Sequence, residues 1–239
     1  MVQFFSETPL TVGGVYQFTD EQSHHAKVLR LRQETVRLVH DGKAFTAQIT
    51  ETGRQYQAVV TAEDPAVNEL PVQVTLAAAM IRKEKFELVL QKAAELGVTR
   101  IIPLITSRTV NRPEEDKQKK IYIRWQSILE EASSQCERNR IPVLEKMISV
   151  DKLPEYKQAQ NLFGYERGYE KSPMLGDVLK QEDTLIVIGP EGGFTDEECD
   201  KFLENGFSMV SFGNRILRAE TACIYALSVI GDHLERENR

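Results

Sequence analysis

Cysteine is scarce in this chain: Cys136, Cys199 and Cys223 are its three, odd in number and with no C-x-x-C spacing. That excludes a disulfide frame and a thiolate metal site, and it points to buried or free thiols in a reducing compartment. Histidine is equally sparse, with four in 239 residues. The adjacent pair His24-His25 diverges on a helix and has no cysteine or carboxylate at ligand spacing, so no metal is expected. No apolar run approaches the roughly 20 residues of a membrane span. The first residues, Met1-Val-Gln-Phe-Phe-Ser-Glu7, lack the basic start and apolar stretch of a signal peptide. The expectation is a cytoplasmic protein with no membrane partner. An excess of positive charge is missing too: the net charge is −6, which argues against a protein that coats nucleic acid indiscriminately. Repeats and low-complexity segments are absent.

What is present divides in two. Residues 24–40 carry Lys27, Arg30, Arg32 and Arg37 against one acid, Glu34. Such a cluster is either a solvated face or a set of phosphate contacts. Around it the pattern is β-rich. Residues 35–40 (Thr-Val-Arg-Leu-Val-His) alternate, Asp41-Gly42 reads as a hairpin turn, and residues 43–50 read as the return strand. Residues 55–62 give another strand, and residues 20–29 a helix with Asp20 as its cap. Short strands at close spacing predict a small barrel. Residues 63–71, polar and with two prolines, mark a boundary.

Beyond it, strands alternate with helices. Strands are predicted over 72–79, 100–105, 161–164, 185–188 and 209–212. Helices are predicted over 83–96, 114–136 and from 219 to about 235. The first helix carries Phe86, Val89, Leu90, Ala93 and Leu96 on one face, and Gly97 ends it. The second carries Ile121, Trp125, Ile128, Leu129, Ala132 and Cys136 as its buried stripe. Thr195-Asp-Glu-Glu198 is a capping box for a further helix. This alternation predicts a mostly parallel sheet covered on both faces.

Two glycine-bearing turns stand out. Ile188-Gly-Pro-Glu-Gly-Gly-Phe194 and Phe212-Gly-Asn-Arg-Ile-Leu-Arg-Ala-Glu-Thr-Ala222 each follow an apolar run and open a helix. Neither is a phosphate loop. Phe194-Thr195 stands where a P-loop needs Lys-Ser/Thr, the GxGxxG spacing is absent, and Pro190 removes an N–H from any anion nest. Glycines here let the backbone approach a flat adenine. Glu191 and Glu220 favour a nearby positive centre, such as a sulfonium. The bland alternative is a tight turn with two solvated acids.

These two stretches resemble the signature of the small-subunit (16S) ribosomal RNA uridine-N3 methyltransferases, of the knotted, S-adenosylmethionine-dependent SPOUT class. The likeness covers nearly the whole chain. His24-His-Ala-Lys-Val-Leu-Arg-Leu-Arg32, Lys85-Phe-Glu-Leu-Val-Leu-Gln-Lys-Ala-Ala-Glu-Leu-Gly-Val98 and Ile102-Pro-Leu-Ile-Thr-Ser-Arg-Thr-Val110 also fit. Two departures are Phe212, where Leu is commoner, and Glu137 within Gln135-Cys-Glu-Arg-Asn-Arg-Ile-Pro142.

The resemblance implies an α/β fold. Residues 1–68 would form a PUA-like RNA-binding β-barrel, and residues 72–239 a SPOUT methyltransferase domain with a C-terminal trefoil knot, a rare exception to unknotted topology. It implies S-adenosylmethionine as cofactor, held by Ile188, Gly189, Pro190, Glu191, Gly192 and Gly193. Phe212, Gly213, Ile216, Leu217, Arg218, Glu220, Thr221 and Ala222 would complete that site. It implies a homodimer packed across those loops, and small-subunit ribosomal RNA as partner. Lys27, Arg30, Arg32, Arg138 and Arg140 are the expected RNA contacts. Arg218, in the cofactor loop, is the first candidate for stabilising charge on the uridine, Arg138 the second, and Glu220 a candidate base. Two alternatives stay open: a knotted methyltransferase acting on a ribose 2′-hydroxyl or a tRNA base, and a non-catalytic RNA-binding or ribosome-assembly factor.

Overall fold

The structure is a computed structural model that describes residues 1–52, 54–165 and 172–236, the side chain of Glu115 apart. The expected second domain, 72–239, thus includes residues 166–171 and 237–239, which lie outside the described residues. The chain divides into two compact units, residues 1–69 with 133–141 and residues 70–132 with 142–239.

The first unit runs β1 (Val2–Phe5), β2 (Val15–Gln17), α1 (Asp20–Val28), β3 (Thr35–His40), β4 (Lys43–Glu51) and β5 (Gln57–Asp64). Its five-stranded sheet has the order β1-β3-β4-β5-β2. Among the described residues only β1 and β3 pair in parallel. Irregularities at Thr46/Ala47 and Ile49/Glu51 bend β4 against β5, the strand-curling effect of bulges. The β3–β4 hairpin turns through Asp41 (φ 47°) and Gly42 (φ 78°), the two left-handed residues that a tight primed turn requires. Inside the curl, Phe18 meets Phe4 edge-on at 5.0 Å and Tyr16 at 5.2 Å, with Val36, Leu38, Ala47 and Ile49 packed around them.

The cap of α1 corrects the sequence reading. Thr19, not Asp20, is the N-cap: its hydroxyl accepts the Gln22 N–H, and the Gln22 side chain accepts the Thr19 N–H in return. An N-cap needs extended backbone, which Thr19 has at φ −64° and ψ 166°. Asp20 is the first helical residue, facing the positive end of the helix dipole.

Two arginines of this unit turn inward. Arg37, read above as part of the basic cluster, is buried and donates to Asp64 at 2.7 Å. That hydrogen bond, with the Ala66 N–H, holds the Asp64 carboxyl below the usual range. Arg138 is buried as well and is paired with Glu69.

The second unit runs β6 (Val74–Ala79), α2 (Lys83–Glu95), β7 (Arg100–Ile105), α3 (Glu115–Gln135), β8 (Val143–Leu144) and β9 (Ile148–Ser149). A 3-10 turn (Val150–Tyr156) follows, then β10 (Gln160–Gly164), α4 (Leu175–Val178), β11 (Thr184–Ile188), α5 (Asp196–Glu204), β12 (Ser208–Val210) and α6 (Ala219–Arg236). The sheet order is β12-β10-β11-β6-β7-β8, with β9 also on β7, and every pairing among the described residues is parallel. β6 and β11 are wholly buried, as strands covered on both faces should be. The α2 helix ends where predicted, at Gly97 with φ +85°. One face of the sheet carries an aromatic cluster in which Phe194 meets Phe202 edge-on at 5.0 Å. Thr195 and Glu198 form the expected capping box on α5.

Candidate active site

Because all strands of the second unit run in parallel, their C-terminal ends open onto one edge of the sheet, where ligands of α/β proteins bind. β12, β10 and β11 are neighbours in that order. The loops after β11 and β12 therefore stand on either side of the end of β10. Together the three ends line a cavity of about 810 Å³.

The first wall is Ile188, Gly189, Pro190, Glu191, Gly192 and Gly193. Gly193 has φ +67° and donates its N–H to the Pro190 carbonyl at 2.9 Å, closing a turn that a Cβ would strain. Phe194 points away from the cavity into the core and anchors the loop from below. The second wall runs from Ser211 to Ala219 and ends at Ala222. It includes Phe212, Gly213, Ile216, Leu217 and Arg218, all expected from the sequence. Gly213, at φ +96°, donates its N–H to the Ser211 hydroxyl at 3.1 Å.

The third wall, Gly164 and Tyr165 at the end of β10, is not in the sequence reading. A Cβ on Gly164 would stand 2.5 Å from the Phe212 ring, so the glycine is what lets that ring approach the strand end. The one available signal was a glycine closing an apolar run of two residues, too common a pattern to single out.

Glu220 and Thr221 do not line the cavity. Glu220 is in the first turn of α6, and its carboxylate pairs with Lys85 of α2 at 2.9 Å. Burial pushes this carboxyl up, but the Lys85 hydrogen bond and charge and the backbone N–H outweigh it, and the net direction is down. A carboxylate held ionised beside an ammonium is a poor proton acceptor. The structure places Glu220, the expected base, off the cavity lining, where it fastens α6 to α2. Beneath it, burial pushes the Cys223 thiol up to about 12, an inert thiol.

Arg138 is corrected as well. It belongs to the first unit, is 2 % exposed, and its Nε lies 3.2 Å from both Glu69 oxygens. A guanidinium used in this way is not presented to RNA. Arg140, its neighbour, is exposed, and its guanidinium lies over Gly42.

The first unit has its own concavity, about 550 Å³, lined by Lys27, Arg30, Leu31, Arg32, Thr52, Arg54 and Tyr56. The structure thus brings the three expected cations of residues 27–32 together and adds Arg54. The end of α1 explains how. The Leu31 N–H bonds to the Ala26 carbonyl and the Arg30 N–H to the Lys27 carbonyl, both at 3.0 Å, with Arg30 left-handed at φ 58°. Glycine normally holds this position. An arginine there stores about 1 kcal/mol of backbone strain, the kind of outlier that clusters at functional sites.

Among the described residues no group of three metal-ligating side chains occurs, and no helix is long and apolar enough to cross a membrane.

Comparison with known proteins agrees with this layout. Residues 68–231 match the family described as an RNA methyltransferase domain, and residues 18–63 match an RNA methyltransferase PUA domain. Ribosomal RNA small subunit methyltransferase E of Synechocystis sp. is 35% identical over 91% of this chain and 73% of its own length. That of Rickettsia conorii is 34% identical over 91% and 90%. The structure of ribosomal RNA small subunit methyltransferase E from Neisseria gonorrhoeae bound to S-adenosyl methionine superposes with a TM-score of 0.89 at 31% identity, over 97% of both chains. A methyltransferase of Legionella pneumophila in complex with the same cofactor gives 0.88 at 34%, again over 97% of both. Fold and site define the class: an RNA methyltransferase with a PUA domain. The chain belongs to the ribosomal RNA small subunit methyltransferase E family.

Proposed function

We propose that this protein transfers the methyl group of S-adenosylmethionine to N3 of one uridine in small-subunit (16S) ribosomal RNA. The observation that carries the reading is the cavity at the ends of β11 and β12, built by the two glycine loops in a chain of this family. Its size is that of a small-molecule site. Its residues suit the cofactor. The cavity has glycine backbone on two sides, apolar faces at Ile188, Phe212 and Leu217, and Glu191 in its lining, with none, among the described residues, of the lysine and hydroxyl pairing that a nucleotide phosphate needs.

When bound, S-adenosylmethionine supplies an electrophilic methyl group beside a sulfonium. The chain's own task is to make uridine N3 a nucleophile. N3 carries a proton between two carbonyls, and as that proton passes to solvent water, negative charge spreads onto O2 and O4. Arg218 lines the cavity, is exposed, and opens α6, where the Ala222 N–H bonds to its carbonyl. A guanidinium there stabilises the developing oxyanion, while the loops hold the two reactants in line. N3 lies on the Watson–Crick edge, so the base must be unpaired or flipped out.

The basic concavity of the first unit grips the RNA backbone. Arg30→Gly is a clean test, because glycine suits the left-handed position and the fold is not put at risk. The double variant Arg30→Gly, Arg32→Ala is expected to weaken RNA binding. The slope of log K against log salt should fall by about 1.4, the value for two single-strand phosphate contacts. An unchanged affinity and slope in a filter-binding titration would remove this surface from the interface.

The reading also carries the trefoil knot, a cytoplasmic location and a homodimer across the cofactor loops. Ile216, at the tip of the second loop, is 83% exposed, a large apolar side chain that a second subunit would cover. Substrate class is tested by methyl transfer from labelled S-adenosylmethionine to unmodified small subunits, naked ribosomal RNA and tRNA in parallel. Label in tRNA alone would replace the present reading with the tRNA one.

A further inference from the structure

The mechanism above makes no use of residues 106–110 (Thr-Ser-Arg-Thr-Val), the turn after β7. This turn is nonetheless fastened to the first cofactor loop at two points. Arg108 donates through Nη1 to the Gly192 carbonyl at 2.7 Å and to the Phe194 carbonyl at 3.0 Å. Its stem lies along the loop: a Cβ on Gly192 would stand 3.4 Å from Arg108 Cδ. Glu198 makes the second attachment. One of its oxygens accepts the Ser107 N–H at 2.7 Å, and the other accepts the Thr195 N–H at 2.9 Å, just past the loop.

The turn is itself stiff. The Thr106 N–H bonds to the Thr109 hydroxyl at 2.9 Å, the Thr109 N–H to the Thr106 carbonyl at 3.2 Å, and Arg112 reaches the same carbonyl at 3.3 Å. The loop it holds has few means of holding itself. Pro190 has no N–H, Gly192 and Gly193 have no side chains, and a glycine-rich segment loses the most conformational freedom on ordering. A loop whose backbone must face a ligand needs its outward carbonyls held from behind.

We propose that Arg108 is a positioning residue for the cofactor. It holds the Gly192 and Phe194 carbonyls outward, so that the backbone of residues 189–193 is already shaped to the cavity before the cofactor arrives. This rests on the cofactor site proposed above. The expected signature is that of lost preorganisation: weaker cofactor binding with the chemical step little changed.

Two substitutions separate position from packing. Arg108→Met keeps the stem against Gly192 and loses the donors; Arg108→Lys keeps a charged donor. For Arg108→Met, the Kd for S-adenosylmethionine by calorimetry and its KM should each rise about tenfold, with kcat within about twofold of wild type. Arg108→Lys should recover most of that loss. Thermal unfolding without cofactor should move by less than about 2 °C in both, a small share of one domain's stability. A wild-type Kd in Arg108→Met would overturn the proposal. So would a rise in Kd that only follows a drop in melting temperature, or a loss confined to kcat. Failure of the unaltered protein to bind S-adenosylmethionine would defeat the function proposed above and this inference with it, so the two failures are read from different proteins.

Discussion

Replacing Arg218 by alanine is expected to lower kcat by about 10²- to 10³-fold, the range for removing one preorganised donor from a developing oxyanion. The Kd for S-adenosylmethionine, measured by calorimetry, should change by less than about threefold, because the loop's backbone and apolar groups are retained. The effect is differential. A neutral uridine gives the guanidinium little to bind, whereas a uridine losing its N3 proton presents negative charge on two carbonyl oxygens. Arg218 is the cation to test first, because it lines the cavity while Arg138 is buried in the first unit. Arg218→Lys should recover part of the rate, since a point charge replaces a planar fork. Full turnover in Arg218→Ala would transfer the role to another group, with Arg215 of the same loop next in line.

A second large effect lies in the first unit. Glu69→Ala is expected to destabilise it by about 3–5 kcal/mol, the cost of leaving a buried charge without its partner. Glu69 accepts from the Arg138 side chain, from the Asn139 N–H at 2.9 Å and from the Arg140 N–H at 3.0 Å. One carboxylate thus holds residues 138–140 to the rest of the unit. Urea unfolding of this unit should move to markedly lower denaturant. Glu69→Gln, which still accepts hydrogen bonds, should fall between. A shift below about 1 kcal/mol would show that the pair contributes no more than a surface ion pair.

The course of the chain was largely legible in the sequence. Periodicity located α2 through its apolar face and Gly97, and the hairpin at Asp41-Gly42 announced itself by its turn residues. The short strands β1, β2, β8 and β9 carry too few residues for a pattern and form only because a neighbouring strand is there to pair with. In the candidate site, both glycine loops were readable because a strand-to-helix turn with glycine is a local feature. The end of β10 was not, since its place between β11 and β12 is a matter of topology. Charge was the least readable property. Arg37 and Arg138 look like their exposed neighbours in sequence, but each has an acid 27 or 69 residues away that draws it inward. A long basic side chain can be spent either way, and only tertiary contacts decide. Arg108 went unread for the same reason: its partners lie 84 and 86 residues downstream.

The most direct test of the account is nucleoside mass spectrometry of ribosomal RNA from unmodified small subunits incubated with this protein and S-adenosylmethionine. The account predicts one new N3-methyluridine per subunit, absent when Arg218→Ala replaces the wild-type protein over the same short time. Methylation at a ribose 2′-hydroxyl or on another base would contradict the N3 assignment while leaving the cofactor site in place. No methylation of any nucleoside, together with no cofactor binding, would contradict the account as a whole.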